Sequence, residues 1–379
     1  MTSLITIGVP VYGVSDYIER CLSSLWALTV PENHLIQVII VDDGSPDDSM
    51  EKVASSVVQA PPEFLVEVLT HGRNLGLAEA RNTILNQARG HSLWFVDSDD
   101  RVHPEMLAEM VRAMTDDVDI VITGSVALNE AGESLSVGSM PYSRDLTWSG
   151  FEAVNELLAF RVWAFMWNKL IRTHLYRDLV FPRARTYEDS AVMAVLLARA
   201  RRVALVAHPL YYYSIRSGAI TDGLRVQLLD LSRNVRHAAS LLEIEFPLLA
   251  ADPAVGEYVA RVAHLSPLHQ AAALAADDDV STIIRREVRA DIRLPEVIAA
   301  FRTGRRAIGS ALLVAKISPL AYMITYRIAS RRRAGRVRSD APAMLAGQPY
   351  PLPVGRSARA LRPPSSVRQD APPPPDHRR

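Results

Sequence analysis

The chain has 379 residues, about half of them hydrophobic, and its 42 Lys and Arg balance 42 Asp and Glu. That length and apolar content predict two folded domains, or one domain with an extension. Zero net charge excludes the global basic field of a typical nucleic-acid binder. Cys21 is the single cysteine, which excludes an internal disulfide and suits a reducing compartment. Residues 1–10 lack a basic leader and are interrupted by Pro10, so they read as a buried strand and not a signal peptide. No charge-free apolar run reaches the roughly 18 residues of a transmembrane helix.

Residues 4–9 form a continuous apolar run, as in a strand buried on both faces. Pro10-Val11-Tyr12-Gly13 turns it into a loop. Asp16 and Glu19 have capping-box spacing, and Tyr17, Ile18, Cys21, Leu22 and Leu25 follow at helical spacing, which puts Cys21 in the core. Residues 36–41 predict a second strand running into Asp42-Asp43-Gly44-Ser45-Pro46-Asp47-Asp48-Ser49, with a helix from near Ser49. Residues 64–69 predict a third strand, 70–76 a loop, and 77–88 a helix carrying Arg81 and Asn82. A fourth strand, 92–96, leads into Asp97; a helix at 104–114 and a short strand at 120–123 follow.

Alternating strands and helices predict an open, mainly parallel α/β sheet, which binds ligands beyond the carboxyl ends of its strands. Three strand exits carry unusual polar residues: Tyr12, Asp42 with Asp43, and Asp97 with Asp99. Core packing does not call for carboxylates at successive exits, so a ligand site is expected there. Asp97, Asp99 and Asp100 crowd like charges together. A divalent cation with oxygen ligands is the simplest way to offset them; an acidic turn after a core strand is the plainer alternative.

Residues 124–146 are polar and predict an irregular or hairpin insertion; 148–160 predict a helix capped by Ser149. The aromatic stretch 163–175 contains Trp167-Asn168-Lys169-Leu170. Thr186-Tyr187-Glu188-Asp189-Ser190 then precedes an apolar helix at 191–200. Glu188 and Asp189 sit where a helix dipole favours carboxylates, and simple capping would explain them. Residues 203–206 suit a strand, and 209–213 an aromatic run before Arg216. From 226 to 300 the pattern is helical, with breaks near Asp252-Pro253 and 277–279; His237, His264 and His269 lack metal-ligand spacing. Residues 302–338 carry Arg302, Arg305, Arg306, Lys316, Arg327, Arg331, Arg332, Arg333, Arg336 and Arg338 and no acidic residue. Between them lie the apolar runs 307–315 and 317–326. Two readings stand: a helix lying in an anionic membrane interface, or one packed on the body with a solvated basic edge. Residues 341–379, rich in Pro, Ala, Ser and Arg, predict a disordered tail.

The first half resembles the family 2 glycosyltransferases of GT-A fold. The matching motifs are Val9-Pro10-Val11-Tyr12, then 41–49, then Asn74-Leu75-Gly76-Leu77-Ala78-Glu79-Ala80-Arg81-Asn82, then Phe95-Val96-Asp97-Ser98-Asp99-Asp100. They stand in the family's order over roughly residues 3–220. Trp167-Asn168-Lys169, Glu188-Asp189 and 211–216 look like later features of bacterial polysaccharide and wall-polymer members. Gly13 departs from the pattern, since many relatives have Asn there.

The resemblance implies a nucleotide-diphospho-sugar transferase fold in 1–222; the C-terminal third matches no family, and its own pattern predicts a helical region in 223–300, a basic amphipathic segment in 301–340 and the tail in 341–379. It implies inverting transfer from a nucleotide-diphosphate sugar, a UDP-sugar foremost, to a hydroxyl of a glycan, polyol-polymer or lipid-linked acceptor. Asp97-Ser98-Asp99 would be the DXD motif, with Asp99 the main ligand of Mn²⁺ or Mg²⁺ and Asp97 touching ribose or supporting the metal. Pro10 and Tyr12 would line the base, Asp42 or Asp43 would accept a base or ribose hydrogen bond, and Arg81 would reach the base or a phosphate. Lys169 would contact diphosphate or acceptor. Asp189 would be the general base, with Glu188 the weaker candidate. Trp163, Trp167 and Tyr187 would stack on sugars or serve as core. The chemistry agrees, because a diphosphate leaving group gains negative charge and an attacking hydroxyl must lose its proton.

The expected setting is the cytoplasmic side, peripheral on the inner face of the plasma membrane, with residues 302–338 on the anionic surface and no nucleic-acid partner. The competing reading is a catalytically silent nucleotide- or glycan-binding partner of a glycan-assembly complex. A sugar-nucleotide pyrophosphorylase would need a Gly-rich phosphate loop that Gly8 and Gly13 do not make. A nucleic-acid role for 302–338 predicts salt-sensitive binding.

Overall fold

The structure, a computed structural model, describes residues 3–129, 132–135, 141–184, 186–215, 228–272 and 278–334. Arg216, Arg336, Arg338 and the tail 341–379 lie outside the described residues. Strands β1 (Ser3–Val11), β2 (His34–Asp42), β3 (Phe64–Thr70) and β4 (Ser92–Phe95) pair in parallel in the order β3-β2-β1-β4. Their apolar runs are continuous because both faces are covered. Ile36, Val38 and Ile40 of β2 pack with helix α1 (Ile18–Trp26) and with Val53 of α2 (Ser49–Val57). The alternate residues Ile39 and Val41 share a core with Ala80 and Ile84 of α3 (Leu77–Gln87). Gly8 lets α3 approach β1: a Cβ there would fall 2.4 Å from Ile84 Cγ2.

The expected Asp16–Glu19 capping box is absent. Helix α1 starts at Ile18 after Tyr17 with no side-chain cap. Instead, the amides of Tyr17 and Ile18 both donate to Val14 O, at 2.8 and 3.0 Å, so backbone satisfies the first turn.

Beyond β4 come β5 (Arg101–Val102), α4 (Met106–Ala113), β6 (Ile120–Leu128), β7 (Ser134–Leu135) and β8 (Leu146–Ser149). Helix α5 (Gly150–Leu158) begins with the Ser149 cap, completed by Glu152 as a capping box. Strand β9 (Lys169–Arg172) inserts antiparallel between β4 and β6, so the sheet is mixed. A 3₁₀ turn at Glu188–Ala191 precedes α6 (Met193–Arg199). Strand β10 (Arg202–Ser214) is far longer than its apolar start and lies parallel to β6. Its register shifts on either side of Pro209, which has no N–H to give the ladder.

The C-terminal helices are α7 (Leu228–Glu245), α8 (Pro247–Ala250), α9 (Pro253–Val259), α10 (Ser266–Ala271), α11 (Asp279–Asp291), α12 (Leu294–Arg302), α13 (Arg306–Ile317) and α14 (Pro319–Ala334). Leu268, Ile284, Val288, Leu312 and Ala315 form a core of their own. A smaller junction core joins Trp163 to Leu231, Val235, Tyr258 and Val262. Among the described residues, no helix is long and apolar enough to cross a membrane.

Candidate active site

The first two strand exits make a tight platform. Pro10 is buried, while the Tyr12 ring is 45% exposed above the exit. Gly13 adopts φ +61°, a left-handed conformation that Asn tolerates better than other side chains. Gly44, at φ +73°, lies so close to the Arg73–Asn74 backbone that a Cβ would sit 2.7 Å from Arg73 C. Asp42 Oδ1 accepts from the Ser45 amide at 2.8 Å and shapes its own turn. Asp43 holds the neighbouring loop: Oδ1 accepts from the Leu75 amide at 2.9 Å and meets His71 Nδ1 at 2.7 Å, and Oδ2 accepts from the Gly76 amide at 2.8 Å. Three of its roughly four acceptor positions are therefore taken by protein.

At the β4 exit the three aspartates divide. Asp97 and Asp99 are half-buried, whereas Asp100 is fully buried. Asp100 accepts from Tyr211 Oη at 2.7 Å and from the Ser214 amide at 2.7 Å, fastening β10 beneath the site. Tyr211 Oη in turn accepts from the Asp97 amide at 3.2 Å. Burial pushes Asp100 well above the usual carboxylate range, with Asp99 and Asp97 adding to it. Cys21 sits under this turn, its Sγ 3.7 Å from Asp97 O, and is a core thiol.

Arg81 is buried, and its expected reach to a base or phosphate is not met. One Nη binds Glu188 and the other Asp97 Oδ1 at 3.1 Å. Its guanidinium lies near the rings of Phe95 and Phe181, 5.6 and 6.0 Å from their centroids. Asn82 fixes the second of these rings through paired 2.9 Å bonds with the Phe181 backbone. Burial raises Glu188 to about 7, against the pull of Arg81 and with Asp189 adding to it. Burial raises Asp97 too; Arg81 opposes, and Asp99 and Asp189 contribute. Asp189 is half-buried and accepts from the Ser190 amide at 2.7 Å.

The Glu188–Asp189 turn follows Tyr187 at φ +61°. Asn234 of α7 donates to Thr186 O and Tyr187 O, at 3.2 and 2.9 Å, and holds that turn. Asn234 has no local sequence signal, and the aromatic run that contains Tyr211 does not reveal its bond to Asp100, since the partners lie far away in the chain.

Lys169 also corrects its expectation. Its buried ammonium donates to Trp163 O at 2.9 Å, Phe165 O at 2.6 Å and Asn168 Oδ1 at 2.7 Å. All three donors are used on the aromatic turn, so none faces a diphosphate. Burial draws this lysine down to about 7, opposed by Asp189. Trp163, Phe165, Trp167 and Tyr211 stack in sequence, with centroids 6.2, 5.0 and 4.4 Å apart. Trp163 and Trp167 are thus core; Tyr187 packs with the junction core.

Among the described residues, no group of three or more His, Cys, Asp or Glu converges on a metal position. Asp97 and Asp99 offer two carboxylates. That donor set fits Mg²⁺ or Mn²⁺, which complete an oxygen shell with substrate phosphates and water.

A search against family models matches residues 6–167 to Glycosyl transferase family 2. That segment carries the family 2 domain, and the chain is a glycosyltransferase of GT-A fold. It is 28% identical over 336 residues to EpsH of Bacillus subtilis, covering 86% of this chain and 93% of EpsH. It is 30% identical over 233 residues to the succinoglycan biosynthesis protein ExoO of Rhizobium meliloti, covering 60% of this chain and 65% of ExoO. Its fold matches S. aureus TarS 1-349, crystallised with UDP-GlcNAc, at a TM-score of 0.63 and 17% identity, covering 88% of this chain and 92% of that one.

Proposed function

We propose that this glycosyltransferase moves a sugar from a UDP-sugar to a hydroxyl of a surface-glycan or wall-polymer acceptor, with inversion and with Mn²⁺ or Mg²⁺. The observation that carries the reading is the Arg81 bridge, which holds Asp97 beside Glu188 and so brings Asp189 near the DXD carboxylates. Pro10 and Tyr12 would flank the base, with Asp42 or the remaining acceptor position of Asp43 at its polar edge. Asp99 and Asp97 would hold the divalent ion, which when bound supplies positive charge to the diphosphate. Asp189 takes the proton of the acceptor hydroxyl as its oxygen bonds to the anomeric carbon. The bond from that carbon to the diphosphate oxygen breaks on the opposite face, and UDP leaves. Arg81 and Glu188 position these groups without touching substrate.

UDP is favoured because TarS, of the same fold, is crystallised with UDP-GlcNAc. A polysaccharide product is favoured by the similarity to ExoO, named for succinoglycan biosynthesis. We place the enzyme on the cytoplasmic side, peripheral on an anionic membrane through residues 302–338.

Calorimetry of UDP binding with and without Mn²⁺, on the intact protein and on Asp99→Ala, tests the site. Metal-dependent binding lost in the variant supports it. UDP release from a panel of UDP-sugars then tests turnover. Absence of binding by UDP, GDP and dTDP alike would overturn the catalytic reading.

A further inference from the structure

The second half of the molecule has a cationic cleft away from the strand exits. It has a volume of about 500 Å³ and lies between α11, the end of α13 and the start of α14. Arg285, Arg286, Arg289 and Lys316 line it, together with the apolar Ile317 and Leu320 and no acidic residue. Glu287 pairs with Arg286 at 3.1 Å from outside the cleft. Lys316 Nζ donates to Arg289 O at 2.9 Å, which fixes the end of α13 against α11. Three of these cations lie on α11, outside the basic 302–338 stretch.

An apolar surface starts at the rim of this cleft. Ile317 is 65% exposed, and Leu320, Ile324 and Ile328 are 37, 52 and 48% exposed at four-residue spacing along α14. Leu313 and Val314 of α13 are exposed as well. The inner residues of the same helices, Ile308, Leu312, Ala315 and Met323, are buried in the helical core. The two readings of this stretch are therefore compatible: the helices pack on the body and still show aliphatic side chains outward. Aliphatic side chains beside clustered cations are the composition of a membrane-surface contact. A single-stranded nucleic acid would call for exposed aromatic platforms, which the cleft lining lacks.

We propose that this cleft receives the phosphate headgroup of an anionic phospholipid, with Ile317, Leu320, Ile324 and Ile328 resting in the acyl boundary beside it. The proposal rests on the peripheral-membrane reading and adds a defined headgroup site on α11.

The test is flotation of the full chain with phosphatidylcholine vesicles, with and without phosphatidylglycerol. The wild type is expected to float with the anionic vesicles only. The combined Arg285→Gln, Arg286→Gln, Arg289→Gln variant should bind them at least about tenfold more weakly. Ile317→Ser with Leu320→Ser should also weaken binding. UDP binding and circular dichroism should be unchanged in both, and the serine variant keeps the test alive if the triple variant misfolds. Wild-type-like flotation of the triple variant would remove the headgroup site while leaving membrane association standing. Absence of flotation by the wild type would remove both. Calorimetric binding of inorganic phosphate without vesicle binding, or preferential capture of an RNA oligomer, would also overturn the proposal.

Discussion

Asp97 and Glu188 are held by the two Nη atoms of one guanidinium, that of Arg81. The Asp97–Asp100 turn at the end of β4 and the Glu188–Asp189 turn before α6 thus share a single buried cation. Removing one member of such a group strands charge in a low-dielectric interior. Arg81→Ala should lower unfolding free energy by about 3–5 kcal/mol in urea titration. Arg81→Lys keeps the charge but has no fork to serve two carboxylates. It should cost turnover more than it costs stability.

Asp99 and Asp100 are adjacent but differ in burial, the first half-buried and the second fully buried. Asp99→Ala should abolish Mn²⁺-dependent UDP binding with little change in melting. Asp100→Asn should keep metal-dependent binding but cost about 1–3 kcal/mol, because it disturbs the bonds to Tyr211 and the Ser214 amide. Equal effects on metal-dependent binding would place Asp100 among the metal ligands instead.

Asp189→Asn preserves shape and removes the proposed base. UDP release should fall by about 10²–10⁴-fold while UDP affinity stays near wild type. A parallel loss of affinity would mean that Asp189 serves donor binding and not proton transfer.

His269 gives the helical region an acid sensitivity. Its ring stacks on Tyr326 at 3.8 Å between centroids, and Nε2 lies 2.8 Å from Tyr322 Oη. Burial lowers its pKa to about 4. The unfolded chain takes up this proton near pH 6.5 and the folded chain only near 4, so stability falls as pH drops across that window. The full effect is about 3 kcal/mol. Melting curves between pH 7 and 4.5 should show a smaller loss in His269→Gln than in the wild type.

The parallel half of the sheet was legible because each strand is one apolar run ended by a polar exit. Strand β9 was not. Its Lys169-Leu170-Ile171-Arg172 is too short to show a period, and its partners come from β4 and β6, far back in the chain. Arg81 could be singled out by its motif but not given its role, since Glu188 is 107 residues away. Lys169 misled for a similar reason: a lysine near a proposed phosphate site suggests a ligand contact, whereas three backbone and amide oxygens claim it. The outward side chains of α13 and α14 were visible as apolar runs, but only packing separates the buried Leu312 from the exposed Leu313.

The Asp43 carboxylate draws the loop before α3 shut from within. Because Leu75, Gly76 and His71 already hang on it, this wall of the proposed base platform would have little freedom left to lose when a nucleotide docks. A base of the wrong shape would meet a wall that gives way only by breaking internal hydrogen bonds, so on the proposed function discrimination among nucleotides would be set before any sugar is present.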